Sequence, residues 1–178
     1  VDKGSASAEG ALGAMYYRGF GIDVDYKKAF VLLKKAASRI LSGAHNQAEA
    51  QCYLGNMFIN AQGTEQNIEE GIVWLKRSAA IGNSDAEATL GKVYKDGIGV
   101  EQNFDEAYSW LLKAAKNNHA KAQSEICSFY QKGLGSITKN LDTAFIWLKK
   151  SAENGDGIAQ STLGHHYRLG SAANELDE

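Results

Sequence analysis

The chain is expected to be all-α, a solenoid of stacked helix-turn-helix units, and two periodic series together with a set of turn glycines predict it. Leu12-Gly13, Leu54-Gly55, Leu90-Gly91 and Leu163-Gly164 are each followed, three positions after the glycine, by Tyr16, Phe58, Tyr94 or Tyr167. Ile126-Cys127 with Tyr130 fills the same slot once more. The spacings of 42, 36, 36 and 37 residues fall where self-similarity means stacked supersecondary units. A second series, Leu32, Trp74, Trp110 and Trp147, keeps the same period at 42, 36 and 37 residues, each member followed by Leu and one or two basic residues. Two independent markers in one register fix the repeat.

The first helix of a unit follows from Ala86, Leu90 and Tyr94, which recur at i, i+4 and i+8 and so form one helical face. Gly97-Ile98-Gly99 comes next, matched by Gly19-Phe20-Gly21 and Gly133-Leu134-Gly135, and departed from by Ala61-Gln62-Gly63. Glycines there supply positive φ where a helix ends. Asp25, Asn67, Asn103 and Asn140 then read as N-caps of the second helix, with Glu70 and Glu106 placed as in a capping box. That helix runs through the Trp or Leu marker, expected in the core, and closes on Lys34-Lys35, Lys76-Arg77, Lys113 or Lys149-Lys150, near the negative end of its dipole. Its stop signals are Gly4, Gly82 and Gly155, or Asn46 and Asn118, the other residue that tolerates a left-handed cap.

These residues resemble the Sel-one-like repeats, helical-hairpin relatives of the tetratricopeptide repeat. Their pattern is matched in one unit by Ala86, Leu90, Gly91, Tyr94, Gly97, Gly99, Val100, Ala107, Trp110, Ala114 and Ala115. The resemblance implies a right-handed superhelix of about four repeats plus a partial terminal repeat. Departures are the absence of Pro, Leu32 in place of Trp, and Cys127 in place of the small Gly, which should set the two helices of its unit slightly farther apart. The single repeat domain, 1–178, divides into 1–4 as the end of a preceding repeat, 5–47 as repeat one with an insertion at 38–47, 48–85, 86–121 and 122–158 as repeats two to four, and 159–178 as a partial fifth. The ends read as a piece cut from a longer array. The insertion should lengthen a helix or bulge from one edge.

A formal charge of −2 gives no basic field for nucleic acid. No apolar run approaches the roughly 20 residues of a membrane span. Cys52 and Cys127 lie at non-equivalent helical positions about two repeats apart, so a disulfide between them is not expected and the compartment stays undetermined by cysteine usage. The resemblance implies a periplasmic or secreted setting, with a cytoplasmic one left open. No catalytic, cofactor or metal site is expected. The Gly-x-Gly turns lack a third Gly and follow a helix, so they fail the context of a dinucleotide loop. His165 and His166 are adjacent and diverge on a helix, and His45 and His119 have no acid or Cys at ligand spacing.

The surface is what remains. Positions two, five and six after each Leu lie opposite the core stripe and vary in type from unit to unit. They are Ala14, Tyr17 and Arg18; Asn56, Ile59 and Asn60; Lys92, Lys95 and Asp96; Ser128, Gln131 and Lys132; His165, Arg168 and Leu169. In the family it resembles, first helices line a concave groove, so this set is expected to bind a protein. The reading is a non-enzymatic interaction module, favoured as a bacterial immunity or inhibitor protein that neutralises a secreted toxic effector. An adaptor or scaffold segment of a longer envelope, signalling or virulence protein is the alternative, with an envelope or host protein as partner, and an enzyme is a distant third.

Overall fold

The computed structural model describes residues 3–38 and 44–174. Among these residues there are helices and no strand: α1 (Lys3–Arg18), α2 (Tyr26–Ser38), α3 (Ala44–Ile59), α4 (Ile68–Ala80), α5 (Ser84–Asp96), α6 (Phe104–Lys116), α7 (Ala120–Lys132), α8 (Leu141–Glu153) and α9 (Gly157–Asn174). Consecutive odd and even helices pair into four hairpins, and α9 adds one further first helix. Residues 39–43 of the expected insertion, including Ile40 and Leu41, lie outside the described residues, as do Val1, Asp2 and 175–178.

Short polar side chains set the helix starts. The side chains of Asn67, Asn103 and Asn140 accept the backbone N–H of Glu70, Glu106 and Thr143 at 3.0, 2.9 and 2.8 Å, and Asp25 accepts that of Lys28 at 3.0 Å. Each satisfies a donor that the first turn leaves without an intrahelical partner. The ends of the first helices need a left-handed residue. Gly97 provides it at φ 68°, its N–H returning to the Val93 carbonyl, whereas in the second unit Ala61 takes the strained φ of 54° itself.

The second-helix stops hold at Gly82, Gly155 and Asn118, at φ of 92°, 93° and 60°, but not at Gly4 and Asn46. Those two lie inside α1 and α3. Both helices have 16 residues against 13 in α5 and α7, because they start about a turn earlier. Gly and Asn permit a left-handed turn without forcing one. Residues 44–47 of the insertion accordingly lengthen α3.

Burial corrects the expected depth of the tryptophans. Trp74, Trp110 and Trp147 are half-buried, while the leucine after each marker, Leu33, Leu75, Leu111 or Leu148, is buried. The indole N–H of Trp110 donates to Glu106 Oε1 at 2.9 Å, and Lys113 Nζ sits 4.1 Å from the ring centroid. A Trp keeps one polar edge to satisfy, whereas Leu can be sealed completely. Leu90 shows how units join: it is fully buried with Ile72, Leu75 and Ala79 of the preceding hairpin. No described helix precedes α1, and its Leu12 is 41 % exposed.

Leu111→Ala is therefore expected to cost roughly 2–5 kcal/mol, and Trp110→Ala less than half of that. Urea midpoints of the two variants check the order; equal losses, or a larger one for Trp110, would restore the tryptophan to the core.

Candidate partner-binding groove

The first helices α1, α3, α5 and α7 present side chains to one groove of about 550 Å³. Of the expected binding residues it gathers Tyr17, Arg18, Asn56, Lys92 and Lys95, and it adds Tyr53, Asp85, Thr89, His119, Lys121 and Glu125. The additions have a simple register. Tyr53, Thr89 and Glu125 precede the Leu or Ile marker by one residue, and Asp85 and Lys121 precede it by five. They extend the stripe at positions two and five after the marker backwards along the same helix face, a continuation the sequence already contained.

Aromatic rings form one end of the groove. Tyr17 and Tyr53 lie 4.9 Å apart between centroids, and the Arg18 guanidinium carbon stands 5.2 Å from the centre of the Tyr53 ring, a cation-π arrangement. The Tyr53 hydroxyl donates to Glu49 Oε1 at 3.0 Å. Burial pushes the Tyr17 and Tyr53 hydroxyls up from their ordinary pKa values, aided at Tyr17 by Tyr26 and at Tyr53 by the Glu49 carboxylate, so both stay neutral. Beneath them Cys52 is buried, and burial, with the nearby Asp85 and Glu49 carboxylates, pushes its thiol up to about 12. Only the thiolate is nucleophilic, and Cys52 remains a thiol at neutral pH.

An ion pair and a hydrogen bond join successive units at the other end. Lys95 Nζ meets Glu125 Oε2 at 2.9 Å and Asp96 Oδ1 at 3.8 Å. His119 caps α7 by accepting the Ala122 N–H on Nδ1 at 3.1 Å, which leaves Nε2 to donate to Asp85 Oδ1 at 3.1 Å. The hydrogen bond from His119 holds the Asp85 carboxyl below its ordinary range against the opposing cost of burial, with Arg18 and Lys121 adding attraction. His119 thus has an acidic neighbour 34 residues away, where the sequence placed no acid at ligand spacing.

Other expected residues sit elsewhere. Ile59 is buried and corrects the surface assignment: Gly71 stands where the other second helices carry Ala29, Ala107 or Ala144, and a Cβ there would come 2.7 Å from Ile59 Cγ1. The missing methyl leaves a hole that Ile59 turns in to fill. Ser128, Asn60, Asp96, Gln131 and Lys132 lie outside the groove lining. His165 and Arg168 form their own contact on α9, Nδ1 to Nη2 at 3.1 Å; the side chains of Leu169 and His45 lie outside the described ones. Among the described residues no cluster of His, Cys, Asp and Glu could hold a metal ion, and no helix is long and apolar enough to cross a membrane.

The Sel1 repeat family model matches residues 6–39, 48–83, 84–119 and 120–156. The chain belongs to the Sel1 repeat family. Residues 40–47 fall between its first two matched Sel1 repeats. Among solved structures it resembles a Sel1 repeat protein from Oxalobacter formigenes at 33% identity and TM-score 0.80, over 93% of this chain and 64% of that one. It also resembles a protective antigen present in uropathogenic Escherichia coli strains, at 29% identity and TM-score 0.77, over 93% of this chain and 34% of that one. A Pseudomonas aeruginosa protein at 23% identity and TM-score 0.60, over 88% and 55% of the two chains, shares the fold. The chain thus spans just under two thirds of the first relative and about a third of the second. No curated protein matches at a significant level. Sel1 repeats are protein-protein interaction modules, generally without catalysis.

The lowered pKa of Asp85 has a direction in stability. A carboxyl held below its unfolded value stabilises the fold above that value, near 3.8, and loses the contribution as pH falls through the folded one. Asp85→Asn should therefore lower the urea midpoint at pH 6, and the gap to the wild type should close below about pH 3–4. A gap that persists unchanged at pH 2.5 would mean the carboxylate charge is not what stabilises.

Proposed function

We propose that this Sel1 array is a non-catalytic binding protein that holds a protein partner in the groove between its first helices, and that it acts as a bacterial immunity or inhibitor protein against a secreted toxic effector. One observation carries the groove reading: four successive first helices contribute Tyr17, Asn56, Lys92 and Lys121 to one continuous surface. At the equivalent position two after the marker the side chain varies from unit to unit, as Ala14, Asn56, Lys92 and Ser128, while the residues beneath repeat. A rigid array with its variable side chains on one strip can bind stoichiometrically without moving, which keeps the entropic cost of association low. Tyr and Arg are also the residue types that most often anchor protein interfaces.

An adaptor or scaffold role is the second reading. It is favoured by the apolar outer face of the first hairpin, where Leu12, Tyr16, Val31 and Leu32 line a second hollow and Leu12 and Val31 are exposed. A face of that kind stacks on a neighbouring unit or on a partner.

Co-purification from the native cell followed by titration of the captured protein tests the proposal. Asn56→Ala, Lys92→Ala and Lys121→Ala should leave the melting temperature within error of the wild type, and at least one should weaken the captured partner about tenfold. Lys34→Ala, Lys76→Ala and Lys149→Ala, on the second helices, should leave binding intact. An effector whose toxicity is abolished at one equivalent supports the inhibitor role; a captured protein whose activity is unchanged at saturation turns the assignment to the scaffold. Silent groove variants with sensitive second-helix variants would remove the groove.

A further inference from the structure

The charge in the groove is not balanced. Its two lining carboxylates are already engaged: Glu125 is held by Lys95 at 2.9 Å, and Asp85 receives the His119 Nε2 proton at 3.1 Å. Lys92 and Lys121 line the same groove, and among the described residues neither has a carboxylate within ion-pair distance. Arg18 is likewise met by a ring face and by no salt-bridged acid. With the Glu49 and Asp96 carboxylates that border Tyr53 and Lys95, the positive excess is local: it sits at Lys92 and Lys121, the lining lysines without an acid of their own, on a chain whose formal charge is −2. A local field of sign opposite to the whole molecule steers and holds a ligand of negative charge.

We propose that the occupant of the groove is an extended acidic segment of the protein partner, with an apolar or aromatic side chain at the Tyr17–Tyr53 end and carboxylates at Lys92 and Lys121. This rests on the groove reading above and names the chemistry of what the groove takes. Geometry favours an extended segment. Helices pack on the order of 10 Å apart, so the strip from α1 to α7 is about 30 Å long, a span covered by about nine extended residues. The two ends differ in kind. Tyr17, neutral and half-buried, offers apolar ring area backed by the buried Tyr53 ring tilted 39° against it, while Lys92 and Lys121 are exposed cations that lose little hydration on meeting a carboxylate at a wet interface.

A display library of random 12-residue peptides selected on the immobilised full chain, with the enriched peptides then measured by fluorescence anisotropy, tests this. Enriched peptides should carry net negative charge, and their affinity should drop at least tenfold between 50 and 500 mM NaCl, the range over which exposed charges become screened. The double variant Lys92→Glu/Lys121→Glu should weaken them more than tenfold with its helical content and melting temperature kept, and Lys34→Glu/Lys76→Glu should not. Neutral or basic peptides that are nevertheless lost on Asn56→Ala would leave the groove standing and overturn the acidic ligand. Peptides indifferent to every groove substitution, or a library that enriches nothing, would count against the groove itself. A 12-nucleotide single strand binding as tightly as the acidic peptides, and lost on the same charge reversal, would make the ligand a polyphosphate backbone and overturn the proposal.

Discussion

Within each hairpin one leucine of the second helix closes onto a first-helix position that in three of the four units has no side chain. Leu33 lies over Gly13, Leu75 over Gly55 and Leu111 over Gly91; a Cβ built on those glycines would come 2.8, 2.8 and 2.5 Å from the leucine Cγ. The helices can therefore approach until backbone meets side chain. That distance governs the rest. It decides how far each leucine is sealed and how much room the flanking Trp has, so the indole is left at the rim. In the fourth hairpin Cys127 occupies the small position, and Leu148 is buried against it and Ala144.

The stacking of one hairpin on the next depends on a second, polar device. Gln123 and Gln160, three residues before their markers, donate to the carbonyls of Ala115 and Ala152 at 3.0 Å, and Gln51 makes the longer equivalent to Ala37 at 3.4 Å. These carbonyls belong to the last turns of α6, α8 and α2, where acceptors lack intrahelical partners. Asp105 adds a brace by accepting the Ser136 N–H at 2.7 Å, across 31 residues. The Gln51 and Gln123 amides are buried and tolerate little change in spacing, because an unmade bond in the interior is costly. The array therefore presents its first helices at a fixed pitch, and the groove inherits that pitch.

Much of this was legible in the sequence because it is periodic. The N-cap asparagines, the turn glycines and the leucine markers recur in one register, and local chemistry explains each. Depth was harder to read. The Trp series marks the right helix, yet periodicity records a position on a face and not how far the side chain reaches, and the neighbouring Leu took the interior. Ile59 was misplaced because its inward turn depends on Gly71, on the facing helix, where a methyl is absent. The groove residues Asp85, Thr89, Lys121 and Glu125 were within reach, since they continue the variable stripe toward the helix N-terminus. The Asp85–His119 pair was not, because it bridges units and needs the stacking to be known.

A double-mutant cycle on Gly91 and Leu111 tests the governing contact most directly. In an ordinary helix interior Gly→Ala stabilises by about 0.5–1 kcal/mol, so the sign of the effect is diagnostic. Under this account Gly91→Ala destabilises the native chain by about 1–3 kcal/mol, as overpacking does, and loses most of that cost once Leu111→Ala has removed the two nearest atoms, leaving the Ala107 carbonyl oxygen at 3.2 Å, giving a coupling of about 1 kcal/mol or more. Additive effects, or a Gly91→Ala variant more stable than the parent, would show that the hairpins are not held at this distance.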